Sequence, residues 1–118
     1  GDTDDAIDVL ENTLSYNRDN SMVYMSLSKA YNENADFEEA IEILEELFKL
    51  DENNFRVALL ISINSIEIDD FESAYEWGQK SMKISRNNAE SLAHMGNLYY
   101  KSMQTCVEVI IFLDLTRL

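Results

Sequence analysis

The sequence predicts an all-α protein built as a stack of antiparallel helix pairs, and three observations carry that expectation. The 118 residues include three Gly and no Pro, too few turn formers for a β-rich chain of this length. Markers recur at a fixed step of 34 residues: Ala6, Ala40 and Ala74; Asp2, Asp36 and Asp70; Asn20, Asn54 and Asn88. A period of this size means a stacked array of supersecondary units. Apolar residues also return at helical spacing along most of the chain.

The elements follow in order. Apolar spacing predicts helices over Thr3–Tyr16, Ser21–Asn34, Phe37–Leu50, Phe55–Ile68, Phe71–Ile84 and Ala89–Ser102. The third is the clearest. Phe37, Ala40, Ile41, Leu44, Leu47 and Phe48 make one stripe, and Glu38, Glu39, Glu42, Glu45, Glu46 and Lys49 make the other, so one face is core and the other solvated. Asp36 and Asp70 precede helix starts and are expected to cap them by accepting from free backbone N–H groups. Asn53-Asn54 and Asn87-Asn88 punctuate the turns between units.

These residues carry a resemblance. The chain resembles the tetratricopeptide repeat, whose pattern runs aromatic, Leu-Gly, Tyr, Ala, aromatic, Pro. Ser21–Asn54 matches at Tyr24, Leu27-Ser28, Tyr31, Ala40 and Leu44, and Phe55–Asn88 matches at Ala58, Ile61-Ser62, Ser65, Ala74 and Gly78. A third unit opens with Leu92, Met95-Gly96 and Tyr99-Tyr100. The resemblance implies a right-handed superhelical stack of six or seven helices. Residues 1–102 would form the array: the second helix of one repeat, full repeats at 21–54 and 55–88, and the first helix of a further repeat. The usual proline is absent, with Arg18, Glu52 and Arg86 in its place, which predicts a less rigid turn. Gly78, in a helix interior, should cost about 1 kcal/mol against Ala, so the second repeat is expected to be the softer one.

Charge narrows the function. The net charge is −14, from 23 acids and 9 bases. Residues 1–55 hold 15 acids and 3 bases, while residues 56–118 hold 8 acids and 6 bases. Nucleic acid is disfavoured, because its capture relies on Lys and Arg against phosphates, and an anionic membrane surface is disfavoured for the same reason. Basic peptides stay open. Cys106 is the sole cysteine, so no intrachain disulfide is expected and a reducing, cytoplasmic setting fits. No apolar run reaches the ~20 residues of a membrane span.

The chemistry of a catalyst is not evident. His94 is the sole histidine and has no His or Cys at metal-ligand spacing. The glycines stand alone at 1, 78 and 96, so no phosphate loop exists. The carboxylates lie in rows on exposed helix faces. No enzyme activity, metal or cofactor is expected.

The expectation is instead a protein or peptide partner. The resemblance implies that the first helix of each pair lines a concave groove. Its outward positions here are Met22, Met25, Ser26, Lys29, Asn32 and Glu33, then Arg56, Leu59, Leu60, Ile63, Ile66 and Glu67, then Glu90, Ala93, His94, Asn97 and Lys101. Met22, Met25, Lys29, Arg56, Leu59, Ile63, Ile66, His94, Asn97 and Lys101 are the candidate contact residues, with Leu59, Ile63 and Ile66 as an apolar centre. One branch of the family clamps acidic chaperone tails with basic groove residues. Lys29, Arg56, Asn97 and Lys101 offer these, but Met25, Leu60 and Ile63 occupy places where polar groups are needed. The small acidic chaperones of type III secretion are similar in charge and apolar character. A scaffold is therefore the leading expectation, beside a chaperone for an apolar client and a self-assembling module.

The period fails after Tyr100. Glu108 stands where the next Ala belongs, and 9 of the 13 residues from Cys106 to Leu118 are apolar. Residues 103–118 are read as a terminal helix closing the array, buried by a partner or a second copy. A strand-prone segment and an altered chain end are the other readings.

Overall fold

The computed structural model describes residues 2–86 and 88–116. Asn87 and the last two residues of the expected tail lie outside the described residues, as do the side chains of Thr105 and Val109. Six helices make up the described chain: α1 Asp2–Tyr16, α2 Ser21–Glu33, α3 Phe37–Leu50, α4 Phe55–Glu67, α5 Phe71–Ile84 and α6 Ala89–Thr116. Each packs on its sequence neighbour, and α4 also meets α6. The result is an elongated body of 60 × 38 × 18 Å, an all-α stack of paired antiparallel helices.

The core is a string of small clusters, as a solenoid requires when each unit touches only its neighbours. Ile7, Leu27 and Ala30 join α1 to α2. Tyr24, Leu44, Leu47, Val57 and Ile61 join α2, α3 and α4. Ala74, Met95 and Leu98 join α5 to α6. Ala40 and Ala74 are fully buried where helices approach closely, while Ala6 is exposed because no helix among the described residues stands against that face of α1. At the outer edge, Phe48 meets Trp77 edge-on at 5.1 Å, and the Lys80 ammonium lies 4.1 Å over the Trp77 ring.

The caps fall differently from the sequence expectation. Asn20 accepts from the Met22 amide at 3.0 Å, Asn54 from the Arg56 amide at 3.1 Å, and Asn88 from the Ser91 amide at 3.2 Å. The 34-residue asparagine step is thus a series of N-caps for α2, α4 and α6. Asp70 caps α5 through the Ser73 amide at 3.2 Å. Asp36 makes no side-chain cap; its carboxylate accepts instead from the Asn34 amide nitrogen at 2.7 Å.

Within each full pair the chain reverses through one left-handed residue, Ala35 at φ 60° and Asp69 at φ 59°. The next amides then return to the preceding helix, Asp36 N–H to the Tyr31 carbonyl at 2.8 Å and Asp70 N–H to the Ser65 carbonyl at 2.9 Å. Met103 holds the same place in the third unit, yet there α6 runs straight through. It is one helix of 28 residues, about 42 Å long. The expected boundary between residues 102 and 103 is therefore absent. Residues 103–116 do not form a separate closing helix but extend α6 beyond the stack. Met103 is a good helix former, and Gln104 replaces the Asp that follows the reversal in the other units. Neither residue favours a break.

Candidate functional site: the face of the first helices

The face made by α2, α4 and α6 carries two hollows between successive first helices, and a third of about 370 Å³ opens beside them at the α4–α5 turn, lined by Ile66, Glu67, Asp69, Phe71, Lys101, Gln104 and Glu108. The larger, about 550 Å³, lies between α4 and α6 and is lined by Leu59, Ile63, Ile66, Glu67, Glu90, Ala93, His94, Asn97, Tyr100 and Lys101. The smaller, about 350 Å³, lies between α2 and α4 and is lined by Met25, Ser26, Ser28, Lys29, Asn32 and Leu60. The repeat explains the two between first helices. Met25, Leu59 and Ala93 share one register, Lys29, Ile63 and Asn97 a second, and Asn32, Ile66 and Tyr100 a third. Successive first helices present the same three positions, and each hollow is the space between two of them.

Of the ten candidate contact residues, Leu59, Ile63, Ile66, His94, Asn97 and Lys101 come together in the larger hollow. Met25 and Lys29 stand in the smaller. Met22 and Arg56 line neither hollow. Met22 is exposed, and the Arg56 guanidinium sits 3.8 Å from the Glu90 carboxylate at the surface. Leu59 is buried, so it forms the floor, whereas Ile63 is 37% exposed and is the apolar side chain a ligand would meet. Tyr100 was not singled out for the groove, because the Tyr99-Tyr100 pair reads as the packing tyrosine of the repeat. The register with Asn32 and Ile66 is the signal that places it. Asn32 Oδ1, in the residue that walls the smaller hollow, is buried without a hydrogen-bond partner.

His94 is held from behind. Its Nε2 lies 2.6 Å from Ser62 Oγ, and that hydroxyl donates to the Ala74 carbonyl at 2.5 Å. Ser62 has one hydrogen, so His94 must donate from Nε2–H, which leaves Nδ1 as an acceptor. Burial, and then the Lys101 charge, lower the His94 pKa below its ordinary value. The imidazole in the hollow is thus neutral at neutral pH. Beneath it Gly78 is buried. A Cβ there would overlap the Met95 sulfur and lie 3.4 Å from Ser62 Oγ. The glycine therefore makes room for α6 to seat against α4 and α5, which the sequence reading took only as a cost to the helix. Ser81 continues this polar seam, donating to the Phe55 carbonyl at 3.1 Å and standing 2.7 Å from Ser91 Oγ.

Among the described residues no group of three or more His, Cys, Asp or Glu could hold a metal ion, and no helix is long and apolar enough to cross a membrane. The arrangement offers concave apolar surface with a few polar groups at its rim.

A sequence profile of the tetratricopeptide repeat matches residues 1–62, just over half of the chain. The chain belongs to the tetratricopeptide repeat family. No curated protein matches it significantly. Among solved structures, one of MamA is similar at 24% identity and a TM-score of 0.76, covering 88% of this chain and 60% of that one. A second MamA structure gives 22% identity and 0.75, covering 86% of this chain and 56% of that one; this chain thus spans under two thirds of the MamA proteins. The first tetratricopeptide domain of Spaghetti (RPAP3), bound to the HSP90 peptide SRMEEVD, is similar at 16% identity and 0.75, covering 87% of this chain and 82% of that one. The TPR2B domain of yeast Sti1, in complex with pHsp70, gives 22% and 0.72 over 88% of this chain and 85% of that one. At these identities the likeness is one of fold.

Proposed function

We propose that this chain is a protein-interaction scaffold whose larger hollow receives the apolar side chains of an amphipathic, net-basic segment of a partner protein. The carrying observation is the hollow itself: a volume of about 550 Å³ with Leu59 as floor and half-exposed Ile63 at its centre, a size and character that suit recognition of apolar groups. Glu67 and Glu90 at the hollow, against Lys101, and the net −12 on the adjoining residues 1–55 favour a partner whose polar face is basic. The neighbouring hollow, walled by Met25, Lys29 and Asn32, extends the same face.

Two of the similar structures hold an HSP90 peptide and pHsp70 on the same fold. A clamp for an acidic tail is not the reading favoured here. Arg56 lines neither hollow and faces Glu90, and Leu59, Ile63 and Ile66 fill the space between the remaining polar groups. A chaperone for apolar clients is the second reading, favoured by the same hollow and the same acidity; it differs in accepting many clients in place of one. Exposed, unpaired Cys106 suits a reducing compartment, and a cytoplasmic setting is part of the proposal.

The test is calorimetric titration of the chain with a synthetic amphipathic peptide of Leu and Lys. Ile63→Asp should weaken binding at least about tenfold, which is about 1.4 kcal/mol, with helical content unchanged. Met22→Asp, outside both hollows, should leave affinity unaltered. Equal binding by wild type and Ile63→Asp would remove the hollow from the account.

A further inference from the structure

Beyond the groove, α6 carries a second feature on another of its faces. Leu92, Gly96, Tyr99, Met103, Cys106, Ile110 and Leu113 follow one another by steps of four, three, four, three, four and three residues. That alternation is the seam of a coiled coil, in which residues spaced every 3.5 positions keep facing one partner helix. All seven are exposed, and the large side chains among them are 48% to 66% accessible. None of them lines either hollow. The seam carries no charged residue, and a Cβ added to Gly96 meets nothing within 4 Å. It crosses the place where the chain reverses in the other two units, so it exists only because α6 reads through Met103.

We propose that this seam pairs antiparallel with the α6 seam of a second copy of the chain. Both halves of the interface are present in one molecule: a stripe on the part of α6 that packs in the stack, about half exposed although Tyr99 meets Tyr75 of α5 edge-on at 6.0 Å, and an unsupported apolar extension of about the same length. Antiparallel pairing lays each extension over the other copy's stripe, so that neither is left in water. The layers become Leu92 against the second copy's Ile110, Gly96 against its Cys106, and Tyr99 against its Met103. Charge favours the second copy at this place. Residues 1–55 carry a net −12 from 15 acids and 3 bases, which disfavours close approach there. α6 carries a much smaller excess, Glu90, Glu108 and Asp114 against Lys101, so two copies repel least along it.

The test is light scattering on the full chain over a range of concentrations. The pairing gives a mass twice the 13.6 kDa of one chain. Ile110→Lys, a change at a side chain exposed in the single molecule, should return it to one chain with helical circular dichroism retained. Oxidised Gly96→Cys should form a covalent dimer joining residue 96 of one copy to Cys106 of the other, read by peptide mapping. A one-chain mass at every concentration would overturn the proposal, the seam then being covered by a fold-back of the extension or by a different protein. A dimer indifferent to Ile110→Lys would overturn it too, as would cross-links joining Cys106 to Cys106, which belong to a parallel pair.

Discussion

Gly78 and His94 show how single residues are set by their neighbours across helices. On helix propensity alone, Gly78→Ala should stabilise by about 1 kcal/mol. The Met95 sulfur occupies the space that a Cβ would need, and because Met95 is itself buried with Ala74 and Leu98 its flexible end has to move within the core, an overpacking that costs about 1–3 kcal/mol. Urea denaturation of Gly78→Ala should therefore show a lower midpoint than wild type. A higher midpoint would mean that Met95 swings aside freely. His94 makes a pH prediction. Its folded pKa lies below the ordinary value of 6.5. Between the two values the unfolded chain binds more protons than the folded one, so stability is full above about pH 6.5 and falls as the pH drops toward the folded pKa. His94→Gln keeps a donor for Ser62 and removes the titration. The loss of thermal midpoint from about pH 7.5 to about pH 5.5 should be smaller in the variant than in wild type, and an equal loss in both would detach the effect from His94.

At the scale of elements, the helix turns hold the most useful surprise. Ala35 takes a left-handed conformation at φ 60°, which costs a residue with a Cβ roughly 1–2 kcal/mol. Ala35→Gly removes that strain at a smaller entropic cost. It should stabilise the fold by up to about 1 kcal/mol, seen as a higher denaturation midpoint, whereas no change or a fall would show the turn to be relaxed with alanine. The helices themselves were legible, because the apolar stripes record burial and the 34-residue step of Asn20, Asn54 and Asn88 records the caps that start α2, α4 and α6. Phe37–Leu50 and Phe71–Ile84 were placed residue for residue, and α2 and α4 stop one residue short of the expected ends. The reversals were not legible in the same way. They rest on a left-handed alanine and a left-handed aspartate in place of glycine or proline, so the loss of the reversal at Met103 is marked only by Gln104 standing where Asp36 and Asp70 stand. The failed period at Glu108 showed that the repeat stops, but not that the helix continues.

For the whole molecule, the array is a linear series of shared small clusters, and its two exposed features follow from that plan. The hollows between first helices were legible in outline, since the register that buries Ala40 and Ala74 also dictates which positions face outward. The finer placement was not. Whether Leu59 forms a floor or a rim, and whether Arg56 reaches inward, depends on how closely α4 and α6 approach, and that spacing is set by Gly78, Ser62 and Met95 together. The exposed Ile63, the neutral imidazole of His94 and the rim carboxylates Glu67 and Glu90 are what the proposal of an apolar, basic partner rests on at the hollow between α4 and α6. The most direct measurement is an amide chemical-shift map of the chain titrated with the Leu/Lys peptide. The account predicts that the largest shifts fall on Ile63, Ala93, Asn97 and Tyr100, with α3 and the outer face of α5 unmoved. Shifts concentrated on the glutamates of α3 would instead show simple charge attraction, and would contradict it.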